Sequence, residues 1–265
     1  VMTSDVRFLF LSSDHHHTLP RRLFVVDLCD GATDAKVIGL EDEDITGGGH
    51  AFMTLSPCEK WLYLSSYNAA NQARKGEGSK HAVYRVPMTT TGLAEVFLGK
   101  YGEAGRDNRY FNRPLGMACD AKGNVYVADY GNDRIQVFSA DGKFLKSIET
   151  KAPERLAVSR KTGAIYVTSV LVPHMSRRPI IWDQRDEGHR LLGGNSTSSL
   201  VKFTSLEEPT RTVLIDEFVT GGANSGPLMT LDDTGHSPVL WLSAHWWDLQ
   251  RFEDRGDELV RTSSE

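Results

Sequence analysis

The stretch GNVYVADYGNDRIQVF, residues 123–138, places two alternating apolar segments on either side of a short connection. Apolar and polar side chains alternate with a period of two in both segments, which is the pattern of a β-strand. Glycine, asparagine and aspartate follow Tyr130 in the connection, and these residue types favour tight turns. The stretch therefore predicts a β-hairpin, and the rest of the chain decides whether that hairpin is repeated.

The alternating pattern of VYVAD recurs along the chain, which indicates a repeat protein. In each repeat a second and a third strand follow it, and repeats two to five also have a shorter apolar stretch upstream. The five segments that share the pattern of VYVAD are FLFLSS at Phe8, WLYLSS at Trp61, NVYVAD at Asn124, AIYVTS at Ala164 and VLWLSA at Val239. Four antiparallel strands per repeat are typical of a propeller blade. We therefore predict an all-β protein, a β-propeller of four-stranded antiparallel blades with about five blades visible.

The predicted blades cover approximately residues 6–45, 46–100, 111–150, 151–220 and 221–265 of a single propeller domain spanning residues 1–265. The first blade lacks room for its innermost strand, and a closed propeller needs its last edge strand paired. We therefore expect a truncated propeller, with a further blade before Val1 or after Glu265, or a closing strand that the pattern does not reveal. The surplus length falls mainly between second and third strands. This predicts long loops on one edge of the blades, called the rim.

The composition argues against several classes of partner. The 30 basic and 35 acidic side chains give a formal net charge of -5 without a basic run, so we do not expect nucleic acid binding. No apolar run approaches the roughly 20 residues of a membrane-spanning helix. The three cysteines, Cys29, Cys58 and Cys119, lie far apart and indicate neither a disulfide framework nor a structural zinc module.

The third repeat resembles an NHL repeat. The resemblance rests on FNRPLGMACD at residues 111–120, GNVYVAD at 123–129, NDRIQVF at 132–138 and the dipeptide Asp141-Gly142. The other four repeats resemble the looser repeats of the NHL and gluconolactonase-like propellers, of which SPCEKWLYLSSYN is typical. The resemblance most often implies six blades, so we expect this chain to be part of a six-bladed propeller. The sequence does not determine the cellular compartment, although it slightly favours an exported or extracellular protein.

Polar residues at the rim are predicted to line the mouth of a central channel, where a propeller offers a concave site. One group leads into the innermost strands, and the other group ends the second strands. The residues are His50, Arg113, Glu154 and Asn224 in the first group and Asn68, Asp129, Ser169 and His245 in the second. We expect this ring to bind a small polar ligand or a divalent cation, or to hold only water.

Two adjacent tryptophans follow His245. Alternate side chains of a strand point to opposite faces, so Trp246 and Trp247 are not expected to face the core together. An exposed indole at Trp246 would suit a sugar face or an apolar anchor of a partner. In the alternative interpretation, both indoles are buried between the blades and the long loop of the fourth repeat.

A metal ion is one chemistry that the polar ring could support. The resemblance to gluconolactonase-like propellers implies a calcium-like ion, for which the candidate ligands are Glu154, Asn68, Asp129 and Asn224. The resemblance to the peptide-amidating lyase implies zinc held by histidines at the starts of several blades, and only His50 matches that pattern. Arg113 would repel a cation. No cofactor is therefore certain, and calcium and zinc are the candidates.

Asp129 also has a structural interpretation. In ADYGNDR its carboxylate can accept the backbone N–H groups two and three residues later, which is an Asx-type closure of the turn. Arg134 can pair with it from the opposing strand. The tract His15–His17 and the acidic run Glu41–Asp44 are interpreted as solvated surface loops, because neither has the ligand spacing of a metal site.

Two functions follow from these patterns. The first is a non-catalytic scaffold that binds a protein, peptide or carbohydrate, with Trp246 or Trp247 and the insertion Val172–Gly194 as contact elements. The second is a metal-dependent hydrolase or lyase, gluconolactonase-like or peptide-amidating-lyase-like, in which Glu154 or His50 carries a proton. The sequence contains no G-x-S-x-G nucleophile elbow, so it does not favour nucleophilic catalysis.

Overall fold

The computed structural model describes residues 8–12, 23–27, 35–37, 50–67, 80–88, 94–171, 196–220, 228–245 and 248–262. Within these ranges the chain forms nineteen strands and one short 3-10 helix. The strands form five antiparallel sheets, called blades 1 to 5 in chain order, and neighbours in each sheet follow the order of the sequence. Blade 1 has three described strands and the others have four. The predicted all-β architecture of four-stranded antiparallel blades is confirmed.

The first of two compact units covers Val1–Met117 and contains blades 1 and 2. Blade 1 consists of β1 (Phe8–Ser12), β2 (Leu23–Asp27) and β3 (Ala35–Val37). Blade 2 consists of β4 (His50–Leu55), β5 (Trp61–Tyr67), β6 (Lys80–Pro87) and β7 (Glu95–Tyr101). One face of blade 2 buries an apolar cluster that includes Leu62, Leu64 and Val86.

The second unit covers Ala118–Glu265 and contains blades 4 and 5 and most of blade 3. Blade 3 consists of β8 (Pro114–Cys119), β9 (Val125–Asp129), the 3-10 helix η1 (Tyr130–Asn132), β10 (Arg134–Phe138) and β11 (Phe144–Glu149). Blade 4 consists of β12 (Pro153–Val158), β13 (Ile165–Leu171), β14 (Ser196–Phe203) and β15 (Arg211–Thr220). Blade 5 consists of β16 (Leu228–Asp232), β17 (Val239–His245), β18 (Asp248–Asp254) and β19 (Leu259–Thr262).

Blade 4 is buried on both faces, because alternate side chains of its strands contact different neighbours. Ile165 and Val167 of β13 belong to an apolar cluster shared with blade 3. Tyr166, between them, belongs to a second cluster with Leu240 and Leu242 of blade 5. The innermost strand β12 also contacts β9 and β16. Blades 3, 4 and 5 therefore stack face to face, as propeller blades do.

The turn between β8 and β9 is closed by the buried carboxylate of Asp120. Its Oδ1 accepts the backbone N–H groups of Lys122 and Asn124, each at 2.9 Å. Its Oδ2 accepts Asn124 Nδ2 at 2.7 Å and the Tyr126 hydroxyl at 3.2 Å. Gly123 has a φ of 86° in this turn, a conformation that favours glycine. These interactions explain why the sequence AKGN precedes the apolar strand.

A second buried carboxylate, Asp254, joins blades 4 and 5 at the same edge, opposite the rim. Its Oδ2 accepts a hydrogen bond from the Tyr166 hydroxyl and forms an ion pair with Lys202 Nζ at 2.6 Å. Its Oδ1 accepts the Gly256 N–H at 2.8 Å. Burial, and then the hydrogen bond to Asp254, raises the pKa of Tyr166 and keeps this hydroxyl a donor. Polar interactions therefore fix both the turns and the contacts between blades.

We expect Asp120→Ala to lower the free energy of unfolding by about 2–3 kcal/mol, because it leaves several donors of this turn without their acceptor. Urea denaturation would measure the change. Asp141→Ala is the matched control, since Asp141 lies in the exposed turn between β10 and β11 with Ser139 and Lys143 as partners. A loss of stability that is equal in the two variants would contradict the role of Asp120.

Candidate functional site

In each four-stranded blade the first strand begins and the second strand ends at the rim, which carries the predicted site. Arg113, Asp129, Glu154 and Ser169 have described side chains. Other predicted features lie outside the described residues. They are Asn68, Asn224, Trp246, Trp247, the insertion Val172–Gly194, the tract His15–His17 and the run Glu41–Asp44.

The two predicted histidines lie at strand ends, and their backbones are described. His50 is the first residue of β4 and pairs with Tyr67, the last residue of β5. His245 is the last residue of β17 and pairs with Asp248, the first residue of β18. Each backbone therefore lies at the rim of its own blade, in the position that the sequence pattern indicates.

Arg113 directly precedes β8, and His81 of β6 holds its backbone. The Arg113 N–H donates to His81 Nδ1 at 3.0 Å. Arg113 has a φ of 62°, which is uncommon for a residue with a side chain. Because Nδ1 accepts this hydrogen bond, the neutral imidazole carries its proton on Nε2. Burial, and then the charge of Arg113, lowers the pKa of His81 to about 4, so the ring is neutral near pH 7.

The segment 102–113 connects β7 to β8 along the rim and is anchored by Phe111. This phenylalanine is fully buried, and its ring lies over Gly99, where an added Cβ would come within 2.7 Å of it. The Gly105 N–H donates to the Phe111 carbonyl oxygen at 3.0 Å, which closes the segment on itself. The segment thus has a defined backbone. Its exposed charged residues are Glu103, Arg106, Asp107 and Arg109.

Asp129 is fully buried, and its carboxylate is used inside blade 3. Its Oδ2 accepts Asn132 Nδ2 at 2.8 Å, Arg134 Nε at 2.8 Å and Gln136 Nε2 at 3.2 Å. The predicted cross-strand pair with Arg134 is confirmed. The predicted Asx-type closure is wrong, because the Asp129 side chain makes no capping hydrogen bond to η1. Its Oδ2 accepts hydrogen bonds from side chains instead of from the backbone of the turn. Ligand binding at Asp129 stays a prediction.

Glu154 lies on a β-bulge at the start of β12. Pro153 pairs with Ser169 and Arg155 pairs with Thr168, so Glu154 is the additional residue. Glu154 is buried, and its charge raises the pKa of the Arg155 guanidinium, although burial lowers that pKa by more. A β-bulge redirects a side chain and is frequent beside binding sites.

Ala152 leads into blade 4 in the same way that Arg113 leads into blade 3. It has a φ of 43°, and its N–H donates to Asp133 Oδ1 at 3.0 Å. Asp133 directly precedes β10, and His81 is the second residue of β6, so both acceptors lie at the start of a third strand. In both places a side chain of one blade fixes the backbone that leads into the next.

The sequence patterns did not reveal His81 or Asp133 as functional positions. His81 lies in β6 and Asp133 directly precedes β10. The apolar alternation of these strands can be recognised without either residue. The signal that could have pointed to them is a non-glycine residue before proline at the start of a blade, as in Arg113-Pro114.

The described candidates are divided between the two units. His50 and Arg113 belong to the first unit, and Asp129 and Glu154 belong to the second. By the strand pleat, Asp129 lies on the opposite side of β9 from Tyr126, whose ring faces blade 4. Among the residues with described side chains, no three His, Cys, Asp or Glu residues are grouped as metal ligands. The calcium set remains a prediction, because it also needs Asn68 and Asn224.

Comparison with known proteins identifies a repeat in blade 3 and shows which folds the chain is similar to. Residues 111–138 match the NHL repeat. Protein brain tumor of Drosophila melanogaster is 36% identical over 81 residues, which are 28% of this chain and 8% of that protein. A functionally unknown protein from Desulfotomaculum acetoxidans has a TM-score of 0.55 at 17% identity, over 98% of this chain and 69% of that one. A provisionally assigned 6-phosphogluconolactonase from Bacteroides uniformis has a TM-score of 0.52 at 12% identity, over 98% of this chain and 68% of that one.

The antiparallel blades and these structural likenesses define a β-propeller. The match in blade 3 shows that the chain contains one NHL repeat within this fold. The matched segment spans only 8% of the length of protein brain tumor. Within the described residues, no helix is both long enough and apolar enough to cross a membrane.

The stability of the protein should fall as the pH decreases from 6.5 to about 4, because His81 takes up a proton in the unfolded chain before it does so in the folded one. His81→Asn keeps an acceptor near the Nδ1 position and does not titrate, so its loss of stability in this range should be smaller. His236→Asn changes an exposed histidine and is the control. Urea denaturation across this pH range would measure the slopes. Equal slopes for His81→Asn and the unchanged protein would refute the role of His81.

Asp129→Ala should lower the free energy of unfolding by roughly 3–5 kcal/mol, because it leaves the charge of Arg134 buried without its carboxylate. The double variant Asp129→Asn with Arg134→Gln should recover part of this loss, since neither charge is then buried alone. Thermal and urea unfolding would measure both. An unchanged melting temperature for Asp129→Ala, together with lost ligand binding, would instead assign Asp129 to the ligand site.

Proposed function

We propose that this chain is a non-catalytic interaction scaffold, which binds a protein, peptide or carbohydrate partner on the rim and at the channel mouth. The observation that carries the proposal is the segment 102–113. Buried Phe111 and the hydrogen bond between Arg113 and His81 hold this segment in place, while its charged side chains are exposed. A preformed surface loses little conformational entropy when it binds a partner.

The connections between second and third strands are proposed as further contact elements. In blades 1, 2 and 4 they are residues 13–22, 68–79 and 172–195, whereas residues 130–133 suffice in blade 3. Binding residues often lie on loops that a rigid scaffold positions. The insertion Val172–Gly194 and Trp246 or Trp247 are therefore proposed as contact elements, although they lie outside the described residues.

The charges of the segment favour a partner that presents carboxylate groups. Arg109 and Asp107 form a pair at 3.4 Å, and their side chains are 83% and 52% exposed. An exposed pair of this kind contributes little to stability, so a partner separates it at small cost. The planar guanidinium groups of Arg106 and Arg109 can each form two parallel hydrogen bonds with a carboxylate.

A comparison of two double variants tests the proposal. Ligands would be selected with the unchanged protein from a random peptide library and from a printed glycan array, and surface plasmon resonance would measure their affinities. Arg106→Ala with Arg109→Ala should weaken binding about tenfold or more, because charge-assisted hydrogen bonds are lost. Arg160→Ala with Arg211→Ala makes the same charge change at two exposed positions on the opposite edge of blade 4 and should have little effect. Equal weakening by both variants, or no ligand from either source, would refute the rim as the binding surface.

A metal-dependent hydrolase or lyase, gluconolactonase-like or peptide-amidating-lyase-like, is the alternative function. The observation that favours it is Glu154, a buried carboxylate on a β-bulge at the start of an innermost strand. In this alternative, Glu154 or His50 carries a proton and calcium or zinc polarises the substrate. Elemental analysis of the purified chain distinguishes the two functions. Stoichiometric calcium or zinc that Glu154→Gln abolishes would favour the enzyme.

A further inference from the structure

Blade 5 has an apolar face that is exposed. Leu240 belongs to the cluster shared with blade 4, so the neighbouring Trp241 lies on the opposite face, called the exposed face of blade 5. Leu228 and Leu249 lie on this face as well, because each pairs directly with Ser243 of β17. They are 57% and 65% exposed, more than any other large apolar side chain in the part of the chain that the structure describes. Exposed apolar patches of this kind mark sites of protein contact.

The corresponding faces of blades 3 and 4 are covered. Tyr126 and Tyr166 occupy the position of Trp241 in the repeated pattern, and they are 1% and 0% exposed. The ring of Tyr126 faces blade 4, and the ring of Tyr166 faces blade 5. Trp241 is only half-buried. The exposed face of blade 5 therefore has the construction of a face that another sheet covers.

The interface between blades 4 and 5 shows which charge such a covering sheet presents. In blade 4, Lys202 pairs with Tyr166 across β13 and β14, and Asp254 of blade 5 forms an ion pair with this lysine at 2.6 Å. In blade 5, Arg251 pairs with Trp241 across β17 and β18 in the same way. A covered cation needs an opposite charge. A sheet that covers Trp241 is therefore expected to bring a carboxylate to Arg251.

The exposed face of blade 5 carries such a carboxylate itself. Asp232 is the last residue of β16 and is exposed. It lies on this face, two residues after Thr230, which pairs with Trp241. The face therefore presents an acidic group, a basic group and two leucines, and it can be complementary to itself.

We propose that the exposed face of blade 5 packs against the same face of a second copy of this chain. A two-fold axis along β17 would lie between two sheets that are about 10 Å apart. This axis places β16 of one copy opposite β18 of the other. Leu228 then meets Leu249 of the second copy, and Arg251 lies opposite Thr230 and next to Asp232 of the second copy. The symmetry repeats both contacts.

Sedimentation equilibrium of the whole purified chain tests this contact. A single blade face is small compared with the interface of a stable dimer, so we expect a monomer–dimer equilibrium with a dissociation constant in the micromolar to millimolar range. Leu228→Gln with Leu249→Gln should raise this constant about tenfold or more, because the leucines of both copies leave the interface. Val96→Gln with Leu145→Gln is the matched control and should leave it unchanged. These side chains are 47% and 46% exposed and belong to blades 2 and 3.

Exchanged charges test the arrangement of the two copies. Arg251→Glu and Asp232→Arg should each weaken self-association several-fold, because each variant brings like charges together. In an equimolar mixture of the two variants, both ion pairs can form again between unlike copies. The mixture should therefore associate about as well as the unchanged protein. Thermal unfolding would check that each variant remains folded.

Three results would overturn the proposed contact. One is a chain that stays monomeric up to millimolar concentration, which would leave this face to a sheet of another protein. Another is equal weakening by the Leu228→Gln, Leu249→Gln variant and by its control. The third is a mixture of the two charge variants that associates no better than either variant alone. None of these results depends on the segment 102–113, so this contact is tested separately from the proposed partner binding at the rim.

Discussion

The structure of the second unit depends on a central blade, blade 4, that buries both of its faces. In β13, successive side chains such as Tyr166 and Val167 contribute to different clusters, one shared with blade 5 and one shared with blade 3. A sheet with two apolar faces is not stable alone in water, because half of its apolar surface would stay exposed. Blade 4 therefore needs a neighbour on either side. This constraint makes the repeated sheet a component of a larger assembly.

Polar interactions supply the specificity that apolar packing does not. Asp120 fixes a turn, Asp254 joins blades 4 and 5, and His81 and Asp133 each hold the backbone before the next blade. Most of these groups are buried, where a hydrogen bond is strong and a missing partner is costly. These interactions fix the register in which neighbouring strands and blades pack. Loops at the rim can then vary without changing the scaffold.

The sequence predicts the strands better than it predicts the site. Every predicted strand is present in the described residues, since period-two alternation and turn residues are local signals. The cross-strand pair of Asp129 and Arg134 follows from the same local spacing. The hydrogen bond between Arg113 and His81 joins residues that are 32 positions apart in the sequence, so local spacing could not predict it. The same is true of Leu228 and Leu249, which share a row of blade 5 only through the register of three strands.

Prolines at the starts of innermost strands have a consequence for solubility. Pro114 and Pro153 begin β8 and β12, and each of these strands is the edge of its sheet. Proline has no N–H, so the first residue of each strand cannot donate to an incoming chain. An exposed strand edge otherwise invites pairing between molecules. Pro114 and Pro153 therefore also protect the inner edges of blades 3 and 4 from aggregation.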